Sequence, residues 1–108
     1  TPLDNPQALI ELIESFLEST SARLADLRAA VTSEDSVAIA QIAHSLKGST
    51  GSFGALRLSG LLGQLEALGK SRTVGGASEL LTEVEAEYAR VQAAFAQELA
   101  AAPQEEQI

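Results

Sequence analysis

Leucine, isoleucine, valine and aromatic residues recur every three or four positions along this chain, and that spacing restricts it to packed amphipathic helices. Leu9, Ile13, Phe16, Leu24, Leu27 and Val31 mark the first stretch, with Thr20 standing in the same row. The period runs on through Ser19-Thr20-Ser21, so one long helix is expected there rather than two. Ile39, Ile42, Leu46 and Phe53 form a second cluster, with Ser49 expected among them. Leu58, Leu61, Leu62, Leu65 and Leu68 form a third, and Leu81, Val84, Tyr88, Val91, Phe95 and Leu99 a fourth.

The punctuation between these rows agrees with them. Asn5-Pro6 reads as an N-cap followed by proline at the first helical position. Thr32-Ser33 supplies a break and a cap, after which Glu34 and Asp35 suit a first turn. Gly54 and Gly69 are expected to stop the second and third helices. Lys70 to Gly76 reads as loop, and the tail from Gln104 to Ile108 as frayed. The helices are therefore expected over about residues 6–31, 34–53, 55–68 and 77–101.

A chain of 108 residues has room for one core, so residues 1–108 are read as one domain. Alanine and leucine abound, and the aromatics are only Phe16, Phe53, Phe95 and Tyr88, which disfavours strands. Four amphipathic helices with short connections give an all-α, antiparallel up-down four-helix bundle. There is no cysteine for a disulfide or thiolate site. No apolar run approaches the roughly 20 residues of a membrane span, so no membrane insertion is expected and the simplest setting is cytoplasmic. The net charge of -8 argues against a nucleic-acid partner. The chain opens on Thr1 rather than Met, so a domain cut from a larger protein is one expectation.

Function must come from a site, because helical bundles host many activities. At about 100° per residue, the apolar cluster of the second helix faces one side and His44 the other. Lys47 and Gly48 follow His44 at the spacings that make helical neighbours, and Gly51 lies two turns on. A glycine inside a helix costs about 1 kcal/mol relative to alanine, so Gly48 and Gly51 are not there for helix stability. Removing side-chain bulk leaves the imidazole open to a partner's active site. An exposed imidazole is largely neutral near neutral pH and hence nucleophilic. Lys47 supplies a cation that can neutralise a phosphoryl group. Each residue alone has an ordinary explanation as a solvated or packing residue. The combination on one face opposite an apolar row is what points to phosphoryl acceptance.

The segment His44-Ser45-Leu46-Lys47-Gly48-Ser49, followed by Gly54-Ala55 and Leu65-Glu66, resembles the histidine-containing phosphotransfer (HPt) domains of bacterial and fungal phosphorelays. The resemblance spans essentially the whole chain. It implies that His44 carries a phosphoryl group on its outward ring nitrogen, that Lys47 supports that group and that Gly48 keeps the site open. It implies that Glu66 hydrogen-bonds the other ring nitrogen and fixes the tautomer, the alternative being an ordinary exposed carboxylate. Gly60 and Gly63 depart from the family, where larger residues are more usual. Gly63 would leave space beside His44, or both glycines would let two helices pack closely.

The resemblance also implies the partner. A response-regulator receiver domain would supply the aspartate, the Mg²⁺ ion and most of the catalytic groups, either on another chain or within the same hybrid kinase. This chain would bind no cofactor, act as a monomeric phosphocarrier rather than an enzyme, and lack any nucleotide loop for ATP. Two alternatives stay open: the phosphoacceptor domain of a chemotaxis-type kinase, and a scaffold bundle whose His44 is never modified.

Overall fold

In a computed structural model, which describes residues 5–101, the chain forms four helices. These are α1 (Pro6–Thr32), α2 (Ser36–Ser52), α3 (Leu56–Lys70) and α4 (Ala77–Ala101). The expectation for the tail from Gln104 concerns residues outside the described range. Asn5 caps α1 as expected, its side-chain oxygen accepting from the amides of Gln7 and Ala8 at 3.0 and 3.3 Å.

Two helix boundaries correct the sequence reading. The second helix begins at Ser36 rather than residue 34, because Asp35 is its N-cap and not part of its first turn. The Asp35 carboxylate accepts from the Ala38 amide at 3.1 Å. Glu34 takes the left-handed conformation, φ 56°, that reverses the chain out of α1. The third helix continues to Lys70 instead of stopping at residue 68. Gly69 lies inside it, and Arg72, at φ 57°, makes the left-handed reversal. Gly54 does terminate α2, at φ 79°, with the Ala55 amide donating back to the Thr50 carbonyl at 3.0 Å.

Helix α1 packs against α2 and α4, and α3 packs against the same two. Among the described residues neither diagonal pair of helices, α1 with α3 or α2 with α4, packs together, so the four stand in a ring, each antiparallel to its chain neighbour. Leu27, Ile39, Leu46, Leu58, Leu62, Leu65 and Val84 fill its centre, all fully buried. At one end Phe16 stacks on Phe53 with centroids 4.0 Å apart, and Phe95 meets both edge-on. These are the apolar rows anticipated from spacing, with two corrections: Leu9, in the first turn of α1, is exposed, because the buried face of that helix begins only at Ile13, and the row in α2 is shifted. Ser49 is exposed, and the buried face runs instead through Ile39, Ala43, Leu46 and Thr50. Thr50 tolerates burial because its hydroxyl donates to the Leu46 carbonyl at 2.8 Å. No described helix is long and apolar enough to cross a membrane.

Candidate functional site

The outer groove between α2 and α3 holds the chemistry. His44 projects from the middle of α2 with its side chain 69% exposed. Opposite it on α3 stands Glu66, whose side chain is only 5% exposed. A carboxylate at that depth needs partners, and it has three cation-forming ones. Lys47 Nζ lies 2.7 Å from Glu66 Oε1, while Lys70 Nζ and His44 Nδ1 both lie 2.9 Å from Oε2.

These contacts decide the protonation of the site. The Lys47 and Lys70 ammonium groups, with a smaller contribution from His44, outweigh the opposing effect of burial and lower the Glu66 pKa from 4.5 to about 2. Glu66 is therefore ionised at neutral pH and can only accept hydrogen bonds. His44 Nδ1 must carry the proton it donates to Oε2, so a neutral imidazole has its lone pair on Nε2. The two ring nitrogens thus differ: Nδ1 is held by Glu66, and Nε2 has no partner among the described residues.

The helix spacing that allows this geometry rests on small residues. Gly69 is buried against α2: a Cβ added there would lie 2.6 Å from the Ser36 carbonyl oxygen and 2.7 Å from the Ala40 amide nitrogen. Further along the same seam, Ser59 Oγ donates to the Lys47 carbonyl at 2.9 Å. Gly51 faces that serine, with room for a Cβ only at 3.3 Å from its hydroxyl. Gly48 differs from both: it is exposed, and a Cβ there would meet nothing within 4 Å. The hollow beside His44 is lined by Ala40, Gln41, Glu66 and Lys70. Among the described residues no group of three or more His, Asp or Glu is arranged to hold a metal ion.

The arrangement offers an oriented nucleophile beside two ammonium groups, with an unobstructed approach, on a four-helix bundle. The family model of the Hpt domain matches residues 11–94, from within α1 to within α4. The chain belongs to the Hpt domain family.

A crystal structure of histidine-containing phosphotransfer protein B (HptB) from Pseudomonas aeruginosa PAO1 is similar to this Hpt domain with a TM-score of 0.86 and 29% sequence identity. The match covers 92% of this chain and 86% of that one. None of the curated proteins matches the chain in sequence. The Hpt domain is accordingly a histidine phosphotransfer protein of the phosphorelay type, a phosphocarrier rather than a conventional enzyme.

Of the residues singled out from sequence, His44, Lys47 and Glu66 converge in this Hpt domain, and Gly48 borders them on the open side of α2. Glu66 is not an ordinary exposed carboxylate but a buried one. Three glycine expectations need correction. Gly51 faces Ser59 across the seam rather than clearing space around the imidazole. Gly63 lies beside the Lys47 side chain, 3.5 Å from its Cδ, and not beside His44. Gly60 is exposed and packs against nothing, so close helix packing falls to Gly69 instead. Lys70, expected in a loop, instead lies in the last turn of α3 and pairs with Glu66. The available signal was its position four residues after Glu66, the spacing of a helical ion pair.

Proposed function

We propose that His44 reversibly carries a phosphoryl group on Nε2 and exchanges it with an aspartate of a response-regulator receiver domain. The observation that carries this reading is the hydrogen bond from His44 Nδ1 to the ionised, buried Glu66, which leaves Nε2 as the nucleophile. In the forward step the Nε2 lone pair attacks phosphorus of the receiver's aspartyl phosphate. The N–P bond forms as the P–O bond to the aspartyl carboxylate breaks, and that carboxylate leaves with the electron pair. The Nδ1 proton stays in place, so the ring becomes cationic, and the Glu66 carboxylate beside it stabilises that charge. The reverse step returns the phosphoryl group to an aspartate.

Lys47 and Lys70 have roles in the same step. Their ammonium groups neutralise Glu66 at rest and, held on the same carboxylate as the imidazole, turn to the incoming phosphoryl oxygens. Gly48 leaves that side of His44 clear for the receiver. The Mg²⁺ ion of such a reaction belongs to the receiver, and the exchange takes place in the cytoplasm, with the receiver on a second chain or in the same hybrid kinase. The domain docks as a monomer, through a contact of modest area that lets the partner leave quickly.

The test is to mix the domain with phosphorylated receivers and Mg²⁺ and to follow acid-labile phosphate on it. Labelling of the native domain and none of His44→Gln is the expected result. Labelling only by a chemotaxis-type kinase core would replace the receiver with a kinase as donor. No labelling from any donor would leave a scaffold.

A further inference from the structure

We propose that Gly69 is a positioning residue for phosphotransfer: by letting α2 and α3 meet backbone to backbone, it sets the gap across which Glu66 selects the reactive tautomer of His44. This rests on the function proposed above and adds the element that holds its geometry. Gly69 lies three residues after Glu66 on α3, and it contacts Ala40, which lies four residues before His44 on α2. The contact is thus one turn from each end of the 2.9 Å hydrogen bond.

A methyl group at position 69 cannot be absorbed by a side-chain rotation. Its nearest neighbours would be the Ser36 carbonyl oxygen at 2.6 Å, the Ala40 amide nitrogen at 2.7 Å and the Ala40 Cβ at 2.9 Å. Two of these are backbone atoms of a helix, so the helices themselves must separate. Further along, Ser59 still ties α3 to the Lys47 carbonyl. The seam would therefore open at the Gly69 end, as a wedge, and lengthen the His44–Glu66 bond that spans it. A hydrogen bond weakens steeply once stretched. The imidazole would then be free to carry its proton on either nitrogen.

Nitrogen-15 NMR of the imidazole, recorded where the ring is neutral, reads that tautomer directly. The native domain should show the proton on Nδ1. Gly69→Ala should show a mixture, moving toward the spectrum of Glu66→Ala. Phosphoramidate serves as a small donor whose chemistry needs no docking: Nε2 attacks phosphorus, the P–N bond breaks and ammonia leaves with the electron pair. Labelling of Gly69→Ala should slow by about tenfold, the size of one charge-assisted hydrogen bond, and part of the phosphate should appear on Nδ1.

Gly60→Ala is the companion substitution, because a Cβ there meets nothing within 4 Å and stabilises the helix. It leaves tautomer and labelling unchanged by itself, and the Gly60→Ala/Gly69→Ala pair keeps the domain folded if the single variant does not. A folded Gly69 variant with the native tautomer and native labelling overturns the proposal, as does a native domain protonated on Nε2. Failure of every phosphorylated receiver to label the native domain would instead sink the receiver reading and leave the tautomer result standing.

Discussion

Two seams of this bundle each bury a polar side chain, and they use it oppositely. Between α1 and α4, Tyr88 is buried and its hydroxyl donates to the Leu17 carbonyl at 2.7 Å, with Ser21 Oγ at 2.8 Å beside it. Arg28 and Glu85 add an ion pair across the same seam. Between α2 and α3, Glu66 is buried too, but its partners are three side chains that remain substantially in solvent: His44, Lys47 and Lys70 at 69%, 40% and 68% exposure. The Tyr88 hydroxyl is bound to groups of a neighbouring helix that hold the seam shut. Glu66 is bound to groups that face outward into solvent. A buried polar atom therefore serves adhesion or presentation according to what satisfies it.

The largest effect separating the seams should come from His44→Gln, which abolishes phosphoryl acceptance in a phosphotransfer assay. Its unfolding midpoint in urea should stay near the native one, because an exposed side chain contributes little packing. A marked loss of stability would mean that the α2–α3 seam also depends on the imidazole.

Gly69→Ala should lower stability by about 1–3 kcal/mol, as overpacking does, since the added methyl meets helix backbone at 2.6 Å. Tyr88→Phe should cost about 1–3 kcal/mol, the usual worth of the two hydrogen bonds its hydroxyl makes, and leave the transfer rate unaltered. If Tyr88→Phe slowed transfer, the two seams would not be separable. Gly48→Ala should raise stability by up to about 1 kcal/mol, as nothing crowds the new methyl. The bulkier Gly48→Leu should slow transfer from a receiver while leaving the fold intact.

Acid titration sharpens the comparison further. The Glu66 pKa is depressed from 4.5 to about 2, chiefly by Lys47 and Lys70. A depressed carboxylate contributes stability that is complete above pH 4.5 and is lost as pH falls through 2. The difference in urea stability between the native domain and Glu66→Gln should therefore narrow on acidification across that window. The cost of Tyr88→Phe should not change there, since no group in its seam's hydrogen bonds to Leu17 and Ser21 is a carboxylate.

Much of the bundle was legible because helix formation is a short-range matter. The rows from Ile13 to Leu27 and from Leu81 to Tyr88 repeat with the helical period, and each became a buried face. Gly69 shows where such reading stops. A glycine following Leu68 suits a helix terminus and a helix crossing equally well, and only the neighbouring Ser36 and Ala40 decide between them. Lys70 was misplaced with it, since a helix taken to end at residue 68 leaves no turn in which Lys70 can reach Glu66.

The sequence by itself determined four amphipathic helices, an exposed His44 opposite a buried face, and a cation and an open glycine within one turn of it. All of these follow from spacings of a few residues along one helix. The tertiary structure decided that Glu66, 22 residues away, lies beneath the imidazole and binds its Nδ1. That contact depends on the rotation and separation of α2 and α3, which their close packing at Gly69 and Ser59 sets and which no local pattern encodes.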